Sequence, residues 1–368
     1  MVYLCIDFIN VVDVLKCRRV NRFFQHLTHE TFCWKYKLIN FDLLLHPLRD
    51  YKKVLGSFRH IIHHLKIPSR YIFPSEFGFY EELSSILLSN QKHLQSLCYV
   101  AGYGTFNITS TLSQLPNLTS LDVRSRIFID SCLQNSLHKN LIHLRHFGST
   151  ISKLSHIGSI AACYPQITHL TLLTNFDQDL CKQIASSGLK LQKLDLYIRL
   201  NSLDDEAVAM SSLNSIHTLS ELSIGYESQK HMQESTSKMQ ELKTIHKITL
   251  DRKPAIPIEH QDQLNEIKRT NIIGMISSLN INITHLHLLC IPESKSVIFD
   301  KIFWQKMAQF TKLEVFRINY LSNKERRETL IAGLSSLSHL RSFIVDKTEA
   351  NIKVIKTRLK LLNPQLTF

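Results

Sequence analysis

The chain has 368 residues, of which 44% are apolar, 9% aromatic and 20% charged. This composition is that of an ordinary globular protein, and it excludes a disordered, a collagen-like and a small disulfide-stapled chain. With 44 Lys and Arg against 31 Asp and Glu, the net charge is +13, so an acidic partner has to be considered.

The excess of positive charge is concentrated near the N-terminus. Residues 1–70 carry 12 basic and 5 acidic side chains, a net charge of +7 out of +13 for the whole chain. This distribution favours one localised acidic partner over a basic surface spread along the molecule.

Cysteine usage and the N-terminal residues indicate the compartment. The eight cysteines form no Cys-x-x-Cys pair, which is typical of buried thiols in a reducing compartment. Asp7 interrupts the apolar N-terminal stretch, and no apolar run reaches the about 18 to 20 residues needed to cross a bilayer. We therefore expect a cytoplasmic or nuclear protein with no membrane partner.

The first predicted element is a small helical module. Asp13 is suited to cap a helix over residues 14–27, because the apolar side chains there recur at helical spacing. Residues 8–38 resemble the F-box, with Phe24 standing where the family usually has Trp. The matching positions are Asp13, Cys17, Arg18, Val20, Arg22, Leu27, Glu30 and Trp34.

An F-box implies docking on a Skp-type adaptor, which joins a cullin ligase scaffold. The family's adaptors are acidic, which suits the basic N-terminal residues. The resemblance implies these adaptor-binding residues: Phe8, Ile9, Asp13, Leu15, Val20, Phe24, Leu27 and Trp34. The alternative is an ordinary capping subdomain of the repeats that follow.

An internal repeat of the form L-x-x-L-x-L organises the rest of the chain. Its starts differ mostly by 23 to 32 residues, close to the about 20 to 29 residues of a leucine-rich repeat. A further apolar residue usually stands three places before the start. The repeats begin at residues 62, 94, 118, 144, 167, 191, 219, 245, 283, 313 and 340.

Stretches with helical spacing lie between the repeats, for example after Asp177, Asp204, Met232 and Asn323. Each repeat is therefore predicted to be a strand, a turn and a helix that must stack on its neighbours to bury its apolar stripe. The expected fold is a curved α/β leucine-rich-repeat solenoid, with parallel strands on the concave face and helices on the convex face. The predicted domains are the helical module 1–45, about eleven irregular repeats over 46–348, and a capping helix and tail over 349–368.

Two parts of the solenoid depart from a regular pattern. The leucine-rich-repeat pattern usually places Asn or Cys eight residues after the repeat start. Only Asn175 matches it here, so other groups must close the turns. Pro254 and Pro257 interrupt the longest interval between two repeat starts and predict an enlarged repeat that extends outward on one face.

The C-terminal helix is amphipathic, with one apolar stripe formed by Ile352, Ile355, Leu359 and Leu362.

The resemblance implies a non-catalytic substrate receptor of an SCF-type ubiquitin ligase, in which the repeats bind a protein substrate. Residues two, four and six places after each start project away from the core. The proposed substrate-binding residues on that concave face are Lys193, Asp195, Tyr197, Lys247, Asp251, His285, His287 and Arg317.

Other functions are less favoured by the sequence. No phosphate-binding loop, dinucleotide fingerprint, nucleophile elbow or zinc-protease motif occurs, so we expect no enzyme, cofactor or metal site. The alternative is a repeat protein without a ubiquitin link, acting as a scaffold or contacting RNA or another acidic partner. Mixed charges on the predicted face favour a protein ligand over nucleic acid.

Overall fold

The structure is a computed structural model. It describes residues 38–40, 62–67, 84–99, 109–123, 141–151, 155–175, 179–199, 210–226, 242–251, 269–291, 298–323, 325–348, 350 and 352–368. The chain divides into two compact units: Met1–Ser152 with Ser159–Ile167 form unit 1, and Lys153–Gly158 with Thr168–Phe368 form unit 2.

Unit 1 contains parallel strands that pair in chain order: β1 (Leu38–Asn40), β2 (His64–Ile67), β3 (Ser96–Tyr99), β4 (Ser120–Val123) and β5 (His146–Ile151). The helical segments among the described residues of this unit are α1 (84–89) and α2 (Thr109–Leu112). Helix α3 (Ser155–Cys163) has residues in both units.

Unit 2 continues the same arrangement with longer strands. They are β6 (His169–Asn175), β7 (Lys193–Arg199), β8 (Glu221–Tyr226), β9 (Lys247–Asp251), β10 (His285–Leu289), β11 (Val315–Leu321) and β12 (Ser342–Thr348), again parallel and in chain order. The helices in the described part of unit 2 are α4 (Leu180–Ser186), a 3₁₀ helix (Met210–Ser215), α5 (Arg269–Ser277), α6 (Lys301–Met307), α7 (Arg327–Ser335) and α8 (Ile352–Leu362).

The predicted repeat phase is confirmed at every start. Each strand from β2 to β12 begins two residues after a predicted repeat start. The repeat residues point into the core, as Leu191, Leu194 and Leu196 around β7 show by being at most 1% exposed. Because strands pair without a register shift, equivalent apolar residues form columns, one of which is Leu194, Leu222, Ile248, Leu286, Phe316 and Phe343.

The additional apolar residue that precedes most starts has a local role. It lies one tight turn before the strand, and in most repeats its carbonyl accepts the backbone N–H of the repeat's first residue. The N···O distances are 2.9 Å from Leu219 to Ile216 and 3.1 Å from Leu313 to Phe310. The apolar side chain is buried at each of these turns, so the turn is anchored in the core.

Helices cover the apolar side of the strands. On α6, Phe303 and Trp304 contact Phe316 of β11, with ring centroids 6.4 and 6.3 Å apart. Phe316 in turn stacks on Phe343 of β12, at 5.6 Å. The predicted α/β leucine-rich-repeat solenoid is therefore confirmed by the strands, their register and this core.

The turns are closed by groups that the family pattern does not specify. The side-chain amide of Asn319 accepts the backbone N–H of Ile291 at 3.0 Å and donates to the carbonyl of the same residue at 2.9 Å. The carboxylate of Glu325 accepts the N–H groups of Ile298 and Phe299, at 2.6 and 3.2 Å. Each link joins one repeat to the preceding repeat.

Strand β1 is an additional strand of the sheet that the repeat pattern did not predict. It pairs with β2, with Leu38 opposite His64, and it lies inside the segment assigned to the helical module. The sequence spacing of Tyr36, Ile39 and Phe41 is that of the repeat with aromatic residues at both ends, and it is the signal that could have found this strand.

The C-terminal helix forms as predicted, with one correction to its apolar stripe. Ile355 and Leu359 are buried, whereas Leu362 is 62% exposed. Leu362 lies at the end of α8, where the chain turns so that Leu366 enters the core instead. The backbone of Thr367 then bonds to Arg341 and Phe343 beside β12.

Two further expectations concern the described residues only. Cys181 and Cys290 are buried thiols as expected, but Cys98 and Cys163 are partly exposed. None of the helices in the described ranges is long and apolar enough to span a membrane.

Candidate functional site

The candidate site is the face of strands β6–β12 that points away from the core, here called the strand face. The register places its residues in straight rows across the strands. The first row is His169, Lys193, Glu221, Lys247, His285, Val315 and Ser342, and the second is Thr171, Asp195, Ser223, Thr249, His287, Arg317 and Ile344. Residues adjacent in a row lie on strands about 4.8 Å apart, so their side chains interact directly.

Asp195 lies at the centre of a polar cluster on β6 and β7. Its Oδ2 is 2.7 Å from Nε2 of His169, accepts the hydroxyl of Thr171 at 3.2 Å and lies 3.4 Å from Nζ of Lys193. Only 8% of Asp195 is exposed. The strand pairing explains the cluster, since Lys193 is opposite His169 and Asp195 is opposite Thr171.

The protonation of Asp195 is controlled by opposing influences. Burial, the largest of them, raises the pKa of its carboxyl group, but the hydrogen bonds and charges of His169 and Lys193 taken together outweigh burial. The pKa therefore lies below its ordinary value, and Asp195 is a carboxylate at neutral pH.

The other charged residues of the strand face form ion pairs between neighbouring strands. Nζ of Lys247 is 2.9 Å from the Glu221 carboxylate, and both side chains are about one third exposed. Arg317 contacts Asp346 through Nη2 at 2.9 Å and through Nε at 3.0 Å. The face thus presents alternating charges, with acids on the strands next to the bases.

His287 lies between these ion pairs, on β10. Its Nδ1 is 3.3 Å from the hydroxyl of Thr249. Burial, followed by the positive charges of Lys247 and Arg317, lowers the pKa of His287 to about 4. The imidazole is therefore neutral at physiological pH.

The structure brings seven of the eight predicted substrate-binding residues, all but Tyr197, onto one face, although not all seven are equally accessible. Lys193, Lys247, His285, His287 and Arg317 are partly exposed. Asp195 and Asp251 are only 8% and 5% exposed, because neighbouring strands flank them closely. The backbone of Tyr197 lies in register between Leu173 and Gly225.

Sequence reasoning missed several partners of these residues as members of the site. They are His169 and Thr171 beside Asp195, and Glu221 and Asp346 in the ion pairs. They occupy the same outward repeat positions as the selected residues, so extending the choice to every such position would have found them.

The corresponding face of β3–β5 in unit 1 carries different contacts. His146 forms a hydrogen bond of 2.7 Å with Ser120 on the adjacent strand. Asp122, 6% exposed, accepts the thiol of Cys98 at 3.7 Å. These contacts are polar links between strands of the unit.

The adaptor-binding residues predicted from the F-box pattern, Phe8, Ile9, Asp13, Leu15, Val20, Phe24, Leu27 and Trp34, lie outside the described residues. That interpretation therefore remains a prediction. Within the described ranges, no group of three or more His, Cys, Asp or Glu is arranged to hold a metal ion.

Comparisons with known proteins identify structural neighbours only. The chain is similar to the leucine-rich repeat-containing protein LegL7 from Legionella pneumophila, with 14% identity and a TM-score of 0.41 over 89% of this chain and 98% of that chain. It is also similar to a chain of the TLR13–ssRNA13 complex, with 16% identity and a TM-score of 0.39 over 83% of this chain and 38% of that chain. No protein-family model matches the sequence, and no curated protein is significantly similar to it.

Proposed function

We propose that the chain is the substrate-recognition subunit of an SCF-type ubiquitin ligase. In this role the N-terminal residues dock on a Skp-type adaptor and thereby on a cullin scaffold. The strand face binds a protein substrate and holds it close to a charged ubiquitin-conjugating enzyme, which raises its effective concentration there. The chain itself carries out no covalent chemistry.

The observation that carries the recognition half of this proposal is the charge pattern of the strand face. Lys247 and Arg317 each have an acid on a neighbouring strand. Such alternation is suited to the mixed polar surface of a protein, whereas a nucleic-acid groove needs a continuous row of bases to neutralise phosphates.

The ligase half of the proposal is supported by the F-box pattern around Val20 and Trp34 and by the basic excess in residues 1–70. Both features lie in the part of the chain that would meet an acidic adaptor. Apolar residues beyond the needs of a small internal core are available there for a partner.

The adaptor interaction is tested by a pull-down with a purified Skp-type adaptor. We expect the wild type to bind and the double variant Val20→Glu, Trp34→Ala to lose at least tenfold in affinity, because a charge and a cavity replace apolar contact. A matched control is Leu361→Ala with Leu362→Glu, which changes exposed apolar residues at the opposite end of the chain. No binding by the wild type, or full binding by a folded Val20–Trp34 variant, would refute the ligase role.

A further inference from the structure

We propose that strands β9–β11 form a binding site for one oxyanion group, a carboxylate or a phosphate carried by a protein ligand. The site consists of four side chains: Lys247, His285, His287 and Arg317. This inference rests on the proposed function, because it takes the ligand to be the protein that the strand face selects.

The register brings the four side chains together. Lys247 is directly opposite His285 in the first row, and His287 is directly opposite Arg317 in the second. His285 and His287 are two residues apart on β10 and therefore project to the same side. The four groups occupy adjacent positions on three consecutive strands.

Two bases lie on the strands on either side of His287. The positive charges of Lys247 on β9 and Arg317 on β11 add to burial, the largest cause, in lowering the pKa of His287, whereas Glu221 acts in the opposite direction. The two positive charges that disfavour a proton on His287 favour an anion beside it.

His287 is arranged to donate a hydrogen bond to such an anion. Its Nδ1 faces the Thr249 hydroxyl, and no residue in the described ranges bonds to its Nε2. If the hydroxyl donates to Nδ1, the neutral ring carries its proton on Nε2. That N–H is then available for a ligand oxygen.

The existing ion pairs do not block the site. The side chains of Lys247 and Glu221 are 34% and 35% exposed, and those of Arg317 and Asp346 are 39% and 36% exposed. Ion pairs as exposed as these are weak, because water screens both charges. A ligand oxyanion can therefore share or replace each acid at small cost.

The surroundings limit the site to one anionic group. Glu221 lies on β8 and Asp346 on β12, so an acid is present on either side of the three strands. A polyanion extending along the row would meet these carboxylates. The charged and titratable groups around His287 are Lys247, Asp251, His285, Arg317, Glu221 and Asp346.

The experiment follows the imidazole resonances of the full-length protein by NMR while a blocked pentapeptide with one carboxylate, Ala-Ala-Glu-Ala-Ala, is added. A second peptide has Gln in place of Glu, a third has phosphoserine in its place, and hexauridylate is the nucleic-acid probe. We expect the Glu or phosphoserine peptide to shift the His287 signal and raise its pKa from about 4, since a bound anion stabilises the protonated ring. Whichever of the two peptides binds more tightly shows whether the site prefers a carboxylate or a phosphate.

Substitutions then locate the binding. Lys247→Gln with Arg317→Gln should weaken peptide binding at least tenfold, because both flanking charges are lost. Lys182→Gln with Arg358→Gln is the matched control, since it also removes one Lys and one Arg ion pair but on the helices. Circular dichroism checks that each variant is folded. If a variant is not folded, the change in the wild-type His287 pKa on adding each peptide decides whether the site binds an anion.

The inference is overturned if the Gln peptide shifts His287 as strongly as the charged peptides, if neither charged peptide does, or if the two double variants bind equally. Tighter binding of hexauridylate at the same histidine would overturn the choice of a protein ligand. No ligase component takes part, so a failure here leaves the adaptor test intact, and a failure of the adaptor test leaves this site intact.

Discussion

Asp195 shows how a buried charge is held on the strand face. Its carboxylate is largely buried, and His169, Thr171 and Lys193 stabilise its charged form by hydrogen bonds and charge. Removing the charge leaves these donors with a weaker acceptor in a poorly solvated place, where an unmet hydrogen bond is costly.

We predict that Asp195→Asn lowers the free energy of unfolding by about 1 to 3 kcal/mol at pH 7. Since the pKa of Asp195 is lowered in the folded state, its contribution is present above the unfolded pKa of about 4 and is lost as the pH falls through the folded pKa. Urea denaturation of the wild type and the variant at pH 7 and at pH 3 measures the loss of unfolding free energy at each pH.

The control for this prediction is Asp179→Asn, which removes an exposed ion pair with Lys182. It should change stability by at most about 1 kcal/mol. An equal effect of the two substitutions at pH 7, or an effect of Asp195→Asn that does not shrink in acid, would contradict the assigned contacts.

At the scale of elements, the sequence predicted strand positions far better than turns. Leu194 or Leu286 could be placed inside because period-two alternation and a fixed repeat start determine which side chains face the core. Asn319 and Glu325 could not be found in this way, because their role depends on which backbone groups of the previous repeat come close in space. The same holds for the pairing of Arg317 with Asp346 on the next strand.

Helix packing gives a second test of the fold. Gly333 on α7 faces the indole of Trp304 on α6, and a Cβ added there would overlap the ring. Gly158 on α3 has no atom within 4 Å of an added Cβ. Close packing therefore requires Gly333, whereas nothing visible in the structure requires Gly158.

We predict opposite effects of the same substitution at these positions. Gly333→Ala should destabilise the protein by about 1 to 3 kcal/mol, because the buried indole must move. Gly158→Ala should stabilise it by about 0.5 to 1 kcal/mol, because alanine is the better helix former. Thermal unfolding of the two variants measures the difference, and a stabilising Gly333→Ala would show that α6 and α7 do not pack as described.

At the scale of the whole molecule, the proposal separates two tasks along the chain. The basic excess and the F-box pattern lie in residues 1–70, whereas the alternating charges of the strand face lie on β6–β12 of unit 2. Changes to one part should therefore leave the task of the other part unaffected. Independence of adaptor docking and substrate binding is a more demanding prediction than binding of either partner alone.

The most direct test is quantitative co-precipitation from cells with the triple variant Lys193→Glu, Lys247→Glu, Arg317→Glu. The helix-side variant Lys182→Glu, Lys306→Glu, Lys360→Glu has the same charge change and serves as control. We predict that only the strand-face variant loses the ubiquitinated proteins bound by the wild type, while both variants retain the adaptor. Undiminished capture by the strand-face variant, or equal loss by the control, would contradict it.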